Sequence, residues 1–526
     1  MEYRYGTDTV PDPRSCPLFE ADGSAGSPGA MCVEFFPVFV RPFRAVAIAM
    51  SGDTAIIWFR EDLRVHDNEA LVSAVREFDR VLPVYVFDPR EFDDGMFDLP
   101  KTGPHRTRFL TESVTDLRDS LRTRNGDLLV KRGEPESLLP SLAAEHDAEA
   151  LFYHTTPASE EKAVEAAITD ALDADGVETR SFWGKTLYHR TDLPTSIHGM
   201  DDTFTPWRKS VEQGGAPRDQ VPTPDEIPVP EADPGEIPVS SDLGVEAREP
   251  DGRGVLPFAG GESQGRDRVG TYLWDEDRLR EYKETRNGLL GSGFSSKLSA
   301  WLTHGCLSPR YVYDEVKRYE SKRVSNESTY WLVFELLWRD FMTFQFEKYG
   351  DAFFAPGGIQ GGDPGWRKDR EAFEQWANGE TGVPFVDANM RELNETGYMS
   401  NRGRQNVASF LADWLEVDWR MGAAYFEAKL VDYDVCSNWG NWAYQAGVGN
   451  DSRNNYFNVV KQGKRYDSGG EYVRHWLPEL ADVGENIHEP WTIREKGQRT
   501  LGTPPGEGYP RPMIDMDAAH ERLRNR

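Results

Sequence analysis

The chain has 526 residues, with 89 acidic against 60 basic side chains and a formal net charge of −29. That length allows two or three domains with sizeable cores, and 12% aromatic residues, with Trp alone counting 15, exclude a disordered polymer. The acidity opposes nonspecific nucleic-acid binding, so any nucleic-acid site must be a local basic patch. Arg outnumbers Lys roughly three to one. Excess acid with little Lys points to a halophilic protein built for a high-salt cytoplasm, where screening shortens self-repulsion to a few Å. The expected result is unfolding in low salt with recovery in molar KCl; circular dichroism indifferent to salt would refute it. Cys16, Cys32, Cys306 and Cys436 form no CxxC pair, which fits a reduced cytoplasm. No HExxH or spaced His/Cys cluster predicts a metal.

In chain order, residues 1–52 read as a poorly ordered extension, with Met50 a candidate start. "EFFPVFVRPFRAVAIAM" is broken by Pro37, Arg41, Pro42 and Arg44 and is too short to span a membrane. It also lacks the layout of a signal peptide. From 53 to 195, "TAIIWF", "VLPVYVF", "DLLVKR", "EALFYH" and "VETRSF" read as strands. Helical stretches lie between them near Asn68–Phe78, Thr107–Arg122, Glu134–Glu145 and Ser159–Ala174. This alternation predicts a doubly wound, parallel five-stranded α/β domain. "WFREDLRVHDN" follows the first strand where a dinucleotide-binding site would carry GxGxxG. Residues 196–268 include "QGGAPRDQVPTPDEIPVPEADPGEIPVSSDLG" and predict a long connector wrapping over both domains. From 269 to 490 large apolar residues recur at three- and four-residue spacing, as in "STYWLVFELLWRDFMTFQFEKYG", and predict an all-helical domain. "NRGRQNVASFLADWL" continues it, with Asn401 as N-cap. The tail, 491–526, carries Pro and charge and is expected to pack loosely.

Four stretches carry chemistry. "GLLGSGFSSKLSAWL" fails the phosphate-loop pattern because Phe294 stands where Lys is required. A Gly turn followed by Ser295, Ser296, Lys297 and Ser299 opening a helix suits a pyrophosphate, and equally an ordinary capped helix. In "FELLWRDF", Glu335 and Trp338 share a helix face beside Arg339; alone this also reads as a surface acid beside a core Trp. "YMSNRGRQNVASFLADW" supplies Asn401, Arg402, Arg404 and Gln405, with Asp432 a candidate partner for Arg404 because a buried acid needs one. "LVDYDVCSNWGNWAYQAG" mixes Asp432, Asp434 and Asn438 with Trp439 and Trp442.

Together with "IIWFREDLRVHDNEAL", "SSKLSAWLTHGCLSPR" and "YKETRNGLLGSGFSSKLSAWL", these stretches resemble the photolyase/cryptochrome family over residues 54–490, most of all its DASH cryptochrome branch. The resemblance implies FAD folded into the helical domain. Tyr282, Ser295, Ser296, Lys297, Leu298 and Ser299 would line its phosphate side. Glu335, Trp338 and Arg339 would lie near the adenine and the substrate mouth. Asn401 and Arg404 would approach the flavin, Asp432 and Asp434 its polar edge, and Asn438 its N5. Trp442, Trp419 and Trp366 match the family's electron-transfer row. Glu335, Trp338, Gln405, Tyr444 and Arg402 match the substrate mouth, where Tyr444 and Gln405 are DASH-like. A basic rim of Arg402, Arg453, Lys461, Lys464 and Arg465 would meet phosphates. The implied activity is light-driven splitting of cyclobutane pyrimidine dimers, preferentially in single-stranded DNA, by a monomer with no membrane association. The competing class is a blue-light photoreceptor that binds nucleic acid and regulates transcription without repair. The (6-4) photolyase chemistry is rejected because Asn401 and Gln405 stand where it needs His, and an iron–sulfur relative is rejected for want of cysteines. The family's methenyltetrahydrofolate antenna would use an acid after the fourth strand. Thr156 stands there, leaving Glu160 or Glu161 to compensate or the antenna weak, different or missing.

Overall fold

The computed structural model describes residues 54–450, 456–493 and 508–525. The expectations for 1–52, Met50, Cys16, Cys32 and Arg453 lie outside the described residues. Five strands, β1 Thr54–Phe59, β2 Arg80–Phe87, β3 Leu129–Arg132, β4 Ala148–His154 and β5 Glu178–Phe182, form a parallel sheet in the order β3-β2-β1-β4-β5. Burial explains the compositions. Every residue of the central β1 is buried, hence its unbroken apolar run, whereas edge strand β5 is polar and partly exposed. Helices α1 Glu69–Glu77, α2 Pro104–Arg122, α3 Pro135–Glu145 and α4 Ser159–Ala174 supply the crossovers. Asn68 is not helical but caps α1 by accepting the Leu71 N–H at 2.9 Å.

The connector contains two helices, α5 Phe204–Gly214 and α6 Glu262–Val269. Its irregular part is tied first to the α/β domain, where the Pro228 carbonyl accepts from Val81 and the Pro234 carbonyl from Val130. Further on, Arg248 reaches Asn394 and Glu395 of the helical region. The remainder is helical: α7 Tyr282–Thr285, α8 Ser299–Thr303, α9 Pro309–Lys322, α10 Glu327–Tyr349, α11 Arg370–Ala377, α12 Pro384–Thr396, α13 Asn401–Ser409, α14 Trp419–Lys429, α15 Val435–Gln445, α16 Val459–Tyr466 and α17 Glu471–Trp476. Helix α10 is apolar on most of its circumference because it runs through the core, packed against α5, α7, α9 and α15. The expectation of a loose tail fails for 508–525. Helix Met516–Arg524 buries Met516, Ala519 and Leu523, and the Tyr509 hydroxyl bonds to buried Asp387 at 2.5 Å.

The two halves are sutured by charge and by close backbone approach. Arg310 of α9 grips buried Asp67 with Nε at 2.8 Å and Nη2 at 2.7 Å. Gly305 sits at φ +67°, and a Cβ there would collide with the Glu61 carbonyl. Among the described residues, no helix is long and apolar enough to cross a membrane, and no cluster of three His, Cys, Asp or Glu is placed to hold a metal.

Candidate active site

In a doubly wound sheet, ligands bind beyond the carboxyl ends of the strands where the order reverses. Here that point lies between β1 and β4. It opens as a small cleft lined by Glu61, Asp62, Arg64, His154, Thr155, Thr156, Gly184 and Lys185. Asp62 accepts from Asn68 at 2.9 Å and faces His154 Nδ1 at 2.8 Å, whereas His154 Nε2, the Thr156 hydroxyl and Arg64 Nε in the same wall are buried without a hydrogen-bond partner. Of the two acids expected to compensate at Thr156, Glu161 is half-buried within electrostatic reach of Glu61, Arg60 and Lys185, and burial pushes its carboxyl up. Glu160 points outward to Lys101 at 2.6 Å. Glu165 instead takes the Thr155 hydroxyl at 2.6 Å and the Thr156 N–H at 3.2 Å, and is held by Arg60 at 2.5 Å. Glu165 stands one turn further along α4 than Glu160 and Glu161, the two acids the sequence points to.

The second site lies in the helical domain. Helix α8 begins only at Ser299, so Ser295–Leu298 form an irregular loop rather than a first turn, and Lys297 adopts a left-handed φ of +56°. This loop is short of negative charge. Arg268 of α6 spends its guanidinium on the carbonyls of Ser292, Ser295 and Ser296. Lys297 is 6% exposed, and its ammonium meets the Ser292 carbonyl at 3.3 Å and the Ser295 hydroxyl at 3.4 Å. Burial, reinforced by Arg268, pushes it down to about 7. Two buried cations without a carboxylate bonded to either are a poor apo arrangement and a good cradle for a pyrophosphate. The implied FAD therefore fits. Tyr282 of α7 and, within the loop, Leu298 are buried.

The polar edge follows on α13 and α15. Ser400, not Asn401, caps α13 by accepting the Gly403 N–H at 3.1 Å, and Asn401 is exposed on its first turn. One turn on, Arg404 Nη2 reaches both oxygens of Asp432 at 2.8 Å, the partnership expected of a buried acid. Asp434 caps α15 through the Ser437 N–H at 2.7 Å and meets the Lys185 ammonium at 2.9 Å. Burial would raise this carboxyl; Lys185, then Arg339, hold it well below the usual range. One turn along α15, Asn438 donates Nδ2 to the Ala423 carbonyl at 3.0 Å. Its amide oxygen is thereby left as an acceptor for an N–H. Arg339 donates to the Lys185 and Leu302 carbonyls, and its neighbour Asp340, fully buried, accepts the Leu187 and Tyr188 N–H groups at 2.9 Å. Lys185 and Arg268 were not anticipated; a single cation inside "FWGKTLYH" or "GRDRVG" carries no pattern.

The three indoles stand on separate elements. Trp442 lies on α15 against Gly422, where a Cβ would collide with the ring. Gly422 is one turn from Trp419, the first residue of α14. Trp419 and Trp366 donate their indole N–H groups to one carbonyl, that of Pro356, at 3.1 and 2.9 Å. At the mouth, Glu335 meets Arg286 at 3.2 Å, and burial pushes its carboxyl up against that ion pair. Trp338 has one face covered by Phe204, ring centroids 3.7 Å apart and 11° from parallel, a partner contributed by the connector. Gln405 and Tyr444 are half-buried. Arg402 lies 4.6 Å over Tyr466. On α16, Lys461 and Arg465 are exposed, but Lys464 already pairs with Glu489 at 2.5 Å.

Comparison with known proteins gives two family matches. Residues 55–230 match DNA photolyase and residues 331–526 match the FAD-binding domain of DNA photolyase. A protein named Cryptochrome DASH from Natronomonas pharaonis is 57% identical over 473 residues, covering 90% of this chain and 100% of that one. The crystal structure of a Synechocystis cryptochrome superposes with a TM-score of 0.88 at 46% identity, over 90% of this chain and 99% of that one. A class III photolyase from Agrobacterium tumefaciens gives 0.79 at 29% identity, over 91% and 98%.

Proposed function

The chain belongs to the photolyase/cryptochrome family, in its DASH branch, and from that premise we propose that it splits cyclobutane pyrimidine dimers in single-stranded DNA under blue or near-ultraviolet light. The observation that carries this reading is the pair of buried cations, Lys297 and Arg268, facing a loop without counter-charge beside the Arg404–Asp432 and Asn438 constellation. FAD, when bound and reduced, supplies the light-driven electron that opens the cyclobutane ring and takes it back. The protein positions and insulates. Lys297 and Arg268 hold the phosphates, with Tyr282, Ser295, Ser296, Leu298 and Ser299 around them. Asn438 presents its amide oxygen to a ring N–H, and Arg404 offsets negative charge on the ring. Asn401, Asp432, Asp434 and Arg339 fix that edge.

At the mouth, Glu335 is assigned to bond the flipped pyrimidine pair. The free face of Trp338 stacks on it, Phe204 backing the other, while Gln405 and Tyr444 bound the pocket. Extruding a dimer from a single strand costs less than from a duplex. Arg402, Lys461 and Arg465 on the rim meet backbone phosphates; Lys464 does so only if Glu489 releases it. Trp442, Trp419 and Trp366 relay electrons inward from the surface. An antenna chromophore, methenyltetrahydrofolate among the candidates, would sit at the mouth of the small β1/β4 cleft, with Glu161 or Glu165 as its acid.

The test is light-dependent repair of dimer-containing single-stranded and duplex DNA by the yellow holoprotein. Repair confined to the single strand is expected; none on either would leave the photoreceptor. Glu335→Ala loses one hydrogen bond to charge, about 1.5–3 kcal/mol, so repair should slow about tenfold to hundredfold with flavin retained. Loss of flavin absorbance in that variant would remove Glu335 from the substrate side.

A further inference from the structure

We propose that the electron relay branches at Trp419, through Trp439, to Tyr433, making this tyrosine a second terminus at the seam between the domains. The proposal rests on the reading of Trp442, Trp419 and Trp366 as a relay. Trp439 is a core indole that no role above requires. It meets fully buried Trp419 edge-on, ring centroids 5.8 Å apart at 74°, close enough for a direct hop. Its Nε1–H donates to the Tyr433 hydroxyl at 3.2 Å. Tyr433 is half-buried in the loop between α14 and α15. The Arg106 guanidinium of α2, on the other domain, lies 4.7 Å over its ring. Arg106 is fixed there by the Glu427 carbonyl at 2.7 Å.

A photoexcited oxidised flavin is the oxidant and leaves Trp419 one electron short by way of Trp442. Trp419 takes one electron from Trp439, and Trp439 takes one from Tyr433. No bond between heavy atoms changes. The phenolic O–H breaks, its proton passes to Glu427, the carboxylate whose charge bears most on that phenol, and a neutral phenoxyl remains. Arg106 determines that order, because a cation over the ring opposes positive charge on it; Tyr433 can hold the oxidising equivalent only after its proton has gone. Burial and Glu427 keep the phenol protonated at rest, while burial pushes the Glu427 carboxyl up and makes it the better proton acceptor. The branch gives the relay a second entry port for electrons, on the domain seam.

The experiment is flash photolysis of the holoprotein with its flavin oxidised, read by electron paramagnetic resonance after growth on ring-deuterated tyrosine or ring-deuterated tryptophan. In Trp366→Phe a long-lived radical should persist and narrow with deuterated tyrosine alone. Adding Tyr433→Phe, which removes one hydroxyl and keeps the ring, should abolish it. Trp439→Phe should do the same, and Glu427→Gln should delay its appearance. Bound flavin and far-ultraviolet dichroism equal to the parent's identify a folded variant. A Trp366→Phe protein with no long-lived radical, or one whose signal ignores tyrosine deuteration, overturns the branch. A Trp442→Phe protein that still photoreduces overturns the relay itself.

Discussion

Lys185→Met is expected to destabilise the protein by about 3–5 kcal/mol at pH 7, because it leaves a buried carboxylate without its counter-charge. The Lys185 ammonium and the Asp434 carboxylate are 6% and 3% exposed and 2.9 Å apart. Met fills nearly the same volume, so the loss is one of charge rather than packing. Glu61, the second partner at 2.5 Å, is 34% exposed and can return to water, so it adds little. Arg339 still bears on Asp434 and places the expected value at the lower end of the range. The pH dependence has a definite sign. Lys185 holds the folded Asp434 carboxyl below its unfolded value, so the pair contributes fully above the unfolded pKa of about 3.9 and is lost as pH falls below it. The gap between parent and variant in urea unfolding should therefore be widest near neutrality and narrow in acid. A gap under about 1 kcal/mol at pH 7, or one that does not change with pH, would show that Asp434 is satisfied without Lys185. Asp434→Asn added to Lys185→Met should recover part of the loss, since it removes the orphaned charge.

That pair also shows what could be read from residues alone. The five strands and their crossovers were legible because central parallel strands must be apolar on both faces and helices must carry three- and four-residue spacing. The family followed from several motifs in order, each weak alone. Contacts between distant segments were not legible. Nothing in "FWGKTLYH" says that its Lys spans the cleft to a helix cap some 250 residues later, nor does Phe204 announce that it covers Trp338. Asn401 was read as the cap because Asn is a good one; Ser400 won, and a Ser directly before an Asn gives propensity no means to decide. The tail looked loose by composition because Tyr509, Met516 and Leu523 are few, yet each is buried. Arg404 and Asp432 were paired from chemistry, since a buried acid narrows the choice of partner to the few cations nearby in the fold.

Trp442→Phe is expected to abolish photoreduction of the bound flavin, while dimer repair by chemically reduced protein persists. Phe keeps an aromatic ring against Gly422 and Phe426, whose ring centroid lies 5.1 Å from that of Trp442, so the packing cost is about 1–2 kcal/mol. What Phe cannot do is surrender an electron, because a benzene ring is far harder to oxidise than an indole. The neighbouring Trp376, 6.0 Å away and edge-on to Trp442, offers an internal control. It is completely buried, and its indole N–H is tied to the Val407 carbonyl at 3.0 Å. Trp376→Phe should therefore leave photoreduction intact although it is as close to Trp442 as a relay partner would be. The further ring neighbours of Trp376 are Phe373, Tyr425 and Phe426, whereas Trp419 shares the Pro356 carbonyl with Trp366. Blue-light bleaching of the oxidised flavin absorbance, followed in both variants with an external electron donor present, separates the cases. Bleaching that survives in Trp442→Phe and fails in Trp376→Phe would reroute the relay through the core. Equal bleaching in both would mean that electrons reach the flavin without either indole, and the row from Trp366 inward would then be packing alone.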